Sequence, residues 1–166
     1  MPTTTYYYTN DRDTTYQQWG RIGTTPYLSA IDYPVNYIIA PDGRVKKEGI
    51  WDFPNSGSEN AETLNNVYVE VYCLGGEDPD LGMPSLKIYV YDGSTWQSYS
   101  LTTPASWSWL IFNVSAFINT WAKLDACQVY LDNVLIVSGS IDVDCLRLRA
   151  VSTPAAVTRK SMGFIF

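Results

Sequence analysis

Between residues 64 and 151 apolar side chains recur at every second position, in short runs separated by turn-forming residues; this pattern predicts half-buried strands. Over residues 65–74, Val67, Val69, Val71 and Cys73 share one side, and Tyr68, Glu70 and Tyr72 share the other. Residues 85–91 repeat the pattern, with Leu86, Ile88 and Val90 inward and Lys87, Tyr89 and Tyr91 outward, after the polar loop GGEDPDLGMP. Asp92-Gly93 predicts a tight hairpin into a strand over 96–101, which Thr-Thr-Pro at 102–104 ends. The run SWSWLIFN at 106–113 starts by alternating and finishes continuously apolar, which predicts a central strand covered on both faces at its far end. Phe117, Trp121 and Leu124 recur at helical spacing and predict one short helix near residues 115–123, capped by Ser115.

Two further strands follow, over 126–132 with Cys127, Val129 and Leu131 inward, and over 140–151. In the latter the inward set starts as Ile141, Val143 and Cys145 and continues as Leu146, Leu148 and Ala150. That inversion of phase predicts a β-bulge at Cys145-Leu146, with Arg147 and Arg149 outward. Before residue 60 the signal is weaker: strands over 6–9, 35–40 and 49–53, a long structured loop over 21–34 and a tight turn at Pro41-Asp-Gly-Arg44. Trp51, Phe117 and Trp121 belong to the predicted core. No repeat of 20 to 50 residues is visible, which argues against a propeller or a solenoid. Short strands with turn signals at close intervals and a single short helix predict an all-β, two-sheet antiparallel jelly-roll sandwich. Residues 1–156 form its one domain, and 157–166 form a C-terminal apolar extension.

The tract WSWLIFNVSAFINTWAKLDACQVYL, followed by IDVDCLRLRAV, resembles the later half of jelly-roll carbohydrate-binding modules. In these a Trp-containing strand, a one-turn helix and a last strand with an Asp and a Leu-Arg pattern recur. The resemblance is one of pattern over about residues 64–151; it implies the fold and raises glycans as a partner.

Composition narrows the function classes. Eleven basic residues against seventeen acidic ones give a net charge of −6, the wrong sign for neutralising phosphates, so nucleic acid is excluded as an expected partner. No apolar window is long enough to span a bilayer, and the first residues, MPTTTYYY, have neither a basic start nor an apolar stretch; no signal peptide is visible. Three cysteines, Cys73, Cys127 and Cys145, sit in apolar runs and read as buried free thiols, with one disulfide as the alternative.

The chain contains no histidine, which removes Ser-His and Cys-His nucleophile pairs and imidazole-built zinc sites. No phosphate-cradling glycine motif is present. Carboxylate-only chemistry needs two acids at close range, but Asp11, Asp13, Glu59, Glu62, Glu77, Asp78 and Asp80 fall in polar loops, so the expectation is a protein that is not an enzyme. Asn10, Asp11 and Asp13, or Glu77, Asp78 and Asp80, are the candidates for a structural calcium ion; neither set has EF-hand spacing, and no other cofactor is expected. The triplet Asn113-Val114-Ser115 matches a glycosylation acceptor, a match common by chance.

Aromatics carry the remaining signal, because exposed Trp and Tyr both stack on sugars and anchor protein interfaces. Tyr68, Tyr72, Tyr89, Tyr91, Trp96, Tyr99, Trp107 and Trp109 are the candidate interface or glycan-stacking residues. Met162, Phe164, Ile165 and Phe166 form an apolar tail after the basic, polar TRKS, read as an assembly element. Two function classes follow. One is a structural assembly protein, such as a surface or decoration subunit of a virus particle or similar extended array, associating with itself or with other particle subunits at a virion or extracellular surface. The other is a carbohydrate-binding module recognising glycans through exposed Trp and Tyr.

Overall fold

The computed structural model describes residues 3–9, 12–13, 20–22, 28, 37–40, 47–77, 82–133 and 140–155. Along them run the strands β1 (Thr4–Thr9), β2 (Arg12–Asp13), β3 (Gly20–Ile22), β4 (Tyr37–Ala40), β5 (Lys47–Asp52), β6 (Thr63–Gly75), β7 (Ser85–Tyr91), β8 (Trp96–Thr102), β9 (Ser108–Asn113), β10 (Gln128–Asn133) and β11 (Ile141–Thr153). A 3-10 turn, η1 (Ser58–Ala61), and one short helix, α1 (Trp121–Asp125), complete the elements.

The strands form two antiparallel sheets. One has the order β3-β4-β11-β6-β9, with β1 also on β11; the other has the order β2-β5-β10-β7-β8. The inner set of each sheet, β4-β11-β6-β9 and β5-β10-β7-β8, takes one strand from each of the pairs β4/β5, β6/β7, β8/β9 and β10/β11. This is the rolled order of a jelly roll, as the sequence predicts.

The core follows the alternation. Val67, Val69, Val71 and Cys73 of β6, Leu86, Ile88 and Val90 of β7, and Val129 and Leu131 of β10 are completely buried, as is Trp51 of β5. Burying each such aliphatic side chain is worth about 1.5–3 kcal/mol. Asp92 makes the predicted hairpin turn: its Oδ1 accepts from the Ser94 and Thr95 amides at 3.0 and 2.9 Å, and Gly93 takes φ 94°. None of Cys73, Cys127 and Cys145 takes part in a disulfide, and all three are buried.

Three details differ from the sequence reading. The bulge falls one residue earlier: the β11–β6 register shifts between Val143 and Cys145, so Asp144 is the extra residue of β11 and Cys145 faces Tyr72. The extra residue coincides with a change of neighbour on the other side of β11, where β4 pairs with Ile141 to Val143 and β1 with Arg147 to Ser152. In that gap the Leu146 amide donates to the Leu28 carbonyl at 2.9 Å, from a buried residue held at φ 62°.

The helix starts later than expected. Thr120, not Ser115, caps it by accepting from the Lys123 amide at 3.2 Å. Ser115 instead ties the end of β9 to β6: its hydroxyl accepts from the Val67 amide at 3.0 Å and donates to Asn113 Oδ1 at 2.6 Å. The Asn-Val-Ser triplet is therefore a turn motif of this fold. Third, β9 is not a central strand. Among the described residues it ends the path of its sheet, and Ile111 is 45% exposed where coverage on both faces was expected. The turn predicted at 41–44 and most of the loop at 21–34 lie outside the described residues.

Candidate functional site

The outer face of the six-stranded sheet is built on β6, whose Tyr68, Glu70 and Tyr72 point away from the core. Register brings the rest together: Glu70 lies opposite Arg147 of β11 and Ile111 of β9, Tyr68 opposite Arg149, Tyr72 opposite Trp109, and Arg149 opposite Tyr7 of β1.

Glu70 is 3% exposed and accepts from Nε of Arg147 at 2.8 Å and from Nε of Arg149. Two guanidinium groups thus converge on one carboxylate, which satisfies a charge that would be costly to bury alone. The arginines in turn lie on rings: the Arg147 guanidinium carbon is 3.9 Å from the Trp109 ring centre and 4.3 Å from that of Tyr7, and Arg149 is 4.0 Å from that of Tyr68. Tyr72 stacks on Trp107 at 5.5 Å and 21° and leans on Trp109 at 5.3 Å and 55°. A continuous strip runs Trp107, Tyr72, Trp109, Arg147, Tyr7. Tyr7 is 54% exposed on it, and Ile111 lies alongside.

The other sheet carries a second aromatic face. Tyr89 and Tyr130 are cross-strand partners and stack at 4.5 Å and 14°, and Trp96 lies 5.0 Å from both Tyr91 and Tyr130. Lys87 Nζ lies 4.7 Å from the centre of the Tyr89 ring. The aromatic candidates therefore do not share one surface. Tyr68, Tyr72, Trp107 and Trp109 lie on one face, and Tyr89, Tyr91 and Trp96 on the opposite one. Tyr99 points between the sheets and packs against the core. Tyr7, Glu70, Ile111 and Tyr130 join the faces without having been singled out from the sequence. The available signal was the spacing Arg147-x-Arg149 together with a lone acid, Glu70, in an otherwise apolar and aromatic strand.

Of the calcium candidates, Glu77 is exposed, Asp13 lies in β2, and Asn10, Asp11, Asp78 and Asp80 lie outside the described residues. Among the described residues no group of three His, Cys, Asp or Glu is placed to hold a metal ion. The tail residues Met162, Phe164, Ile165 and Phe166 also lie outside them.

One polar cleft of about 400 Å³ is lined by Asp52, Phe53, Asn55, Asp125, Ala126, Cys127 and Gln128. Both acids are hydrogen-bonded there: Asp52 accepts from Gln128 Nε2 and Asp125 from the Ser56 amide, each at 2.6 Å. No described helix is long and apolar enough to cross a membrane.

No family model matches the chain, and no curated protein matches it. Among solved structures the porcine torovirus hemagglutinin-esterase is similar at a TM-score of 0.34 and 11% identity, over 92% of this chain and 39% of that one. The chain thus spans well under half the length of that protein, and a likeness at this level carries no argument about function.

Proposed function

We propose that the chain is a non-enzymatic assembly protein, a surface or decoration subunit of a virus particle or a similar extended array at a virion or extracellular surface. The arginine and aromatic face of the six-stranded sheet is its contact surface. The observation that carries this reading is the fixed strip of Arg147 and Arg149 against Tyr7, Tyr68 and Trp109, with Tyr7 and Ile111 half exposed beside it. Tyr, Trp and Arg are the residues that dominate interface energetics, and side chains already locked by stacking lose little entropy on docking.

Charge favours a second copy as the occupant. The face contributes two arginines and one glutamate, a net +1, so the rest of the chain carries −6 − (+1) = −7. Two such faces would repel each other, whereas the face of one copy and the acidic remainder of the next attract. A contact of that kind is heterologous and propagates into a ring or an open array. The absence of histidine and the occupation of Glu70 by two guanidinium groups support a non-catalytic role.

Replacing Tyr7 and Trp109 together with alanine should shift the protein to monomer while leaving its circular dichroism spectrum unchanged. Retention of wild-type assembly would remove the face from the contact.

The nearly parallel Tyr72–Trp107 stack favours a second reading, a module that recognises glycans, in keeping with the resemblance of residues 64–151. Under it the chain is monomeric and binds a glycan panel, and the same double variant abolishes that binding.

A further inference from the structure

Arg147 and Arg149 stand two residues apart on β11, and each spends only its Nε on Glu70. Among the described residues no hydrogen bond engages the terminal amino groups of either guanidinium, and both side chains are partly exposed. Rings hold them in place, Trp109 and Tyr7 on Arg147 and Tyr68 on Arg149. Two arginines against one glutamate leave this cluster at +1, which is the charge that one further carboxylate neutralises, and pre-positioned guanidinium ends are suited to bind it. Other acids of the chain are engaged at home. Glu59 accepts from the Tyr8 hydroxyl at 2.7 Å, Glu62 from that of Tyr6 at 3.1 Å and Asp125 from the Ser56 amide at 2.6 Å, and Asp92 pairs with Lys123 at 2.9 Å. Glu77, just past the end of β6, differs: among the described side chains it alone is an exposed carboxylate with no partner in its own chain.

We infer that Glu77 of one copy binds the terminal amino groups of Arg147 and Arg149 of the next. The inference rests on the assembly reading and names the group that the arginine and aromatic face receives. Within one chain the two cannot meet. Glu77 lies seven residues along the chain from Glu70, about 23 Å in extended backbone, and β6 stays on the β11 ladder up to Gly76, whose amide donates to the Ser140 carbonyl at 2.8 Å. Arg149, opposite Tyr68, is farther away still. Across two copies the same groups are complementary: the carboxylate meets two guanidiniums that share a single counter-charge, and the joint cluster of two arginines and two glutamates is neutral. The end of β6 and the outer face of its sheet are different surfaces, so the contact is heterologous and repeats from copy to copy.

Full-length charge variants followed by native mass spectrometry test the inference. Glu77→Lys removes the carboxylate and keeps the face, whereas Tyr7→Asp places a competing acid beside Arg147 and keeps Glu77; both positions are exposed, so both variants should melt as the wild type does. Each alone should self-associate roughly tenfold or more weakly than the wild type. An equimolar mixture should form hetero-dimers, in which the Glu77→Lys chain supplies the face and the Tyr7→Asp chain supplies Glu77. Glu77→Gln should weaken assembly and flatten its salt dependence. Undiminished assembly of Glu77→Lys would overturn the Glu77 contact and leave the assembly reading standing, as would a mixture of two folded, non-associating variants that forms no hetero-dimer. Should Tyr7→Asp melt early, the two Glu77 variants decide by themselves. A wild type that is monomeric at every concentration would overturn the inference together with the assembly reading.

Discussion

Arg147 of β11 donates through Nε to Glu70 of β6 at 2.8 Å from directly across the ladder, and Arg149 reaches the other oxygen of the same carboxylate. The side chains of Arg147 and Arg149 are 26% and 21% exposed and that of Glu70 is 3% exposed, so the carboxylate alone is fully withdrawn from water. Replacing Glu70 with alanine leaves two arginines held against rings without their counter-charge. Removing one partner of a wholly buried pair costs about 3–5 kcal/mol, and partial exposure of the arginines lowers the expectation to about 2–4 kcal/mol. Urea unfolding of Glu70→Ala measures it; a loss below about 0.5 kcal/mol would mean that the cluster is a solvated surface pair.

Gly49 fixes a second point. It lies in β5 at φ 66°, and a Cβ there would stand 2.2 Å from Cζ3 of Trp51, the largest fully buried side chain. The left-handed backbone costs a non-glycine residue about 1–2 kcal/mol, and the overlap adds about 1–3 kcal/mol. Gly49→Ala should therefore destabilise the fold by about 2–5 kcal/mol in the same unfolding measurement. A neutral result would require a different placement of the Trp51 ring.

The thiols give a pH dependence. Burial pushes the Cys73 thiol up from 9.0 to about 12, and burial together with the nearby Asp92 charge raises that of Cys127 as well. A raised thiol pKa means that the folded state holds its proton more tightly than the unfolded state. The contribution is fully present below pH 9, and stability falls as pH rises from about 9 towards 12. At pH 8 a disulfide reagent should leave these thiols unreacted in the folded protein and titrate three per chain after denaturation. Rapid reaction of Cys73 in the native state would show that β6 opens locally.

Much of the fold was legible because period-two alternation survives in β6, β7, β10 and β11, where one face is packed and the other is not. The Asp144 bulge was visible as an inversion of phase and missed by one residue, because sequence shows only that the phase inverts, while the gap between β4 and β1 decides where. Alternation also gives the side of a strand without saying which sheet the strand joins. The aromatics around Tyr68 and Tyr89 therefore read as one surface, although the fold sets them back to back. β9 read as central because Leu110, Ile111 and Phe112 are contiguous, yet an edge strand can carry the same run. Glu70 read as an ordinary outward residue, since its partners lie 77 and 79 residues away and only the β6–β11 register brings them together.

Self-association is the claim on which the functional account stands. Native mass spectrometry of the full chain over a micromolar concentration series measures it most directly. The account predicts trimers or larger species that grow with concentration and weaken with added salt, as the contact of a basic face with an acidic neighbour requires. A monomer at every concentration and at low salt would contradict it.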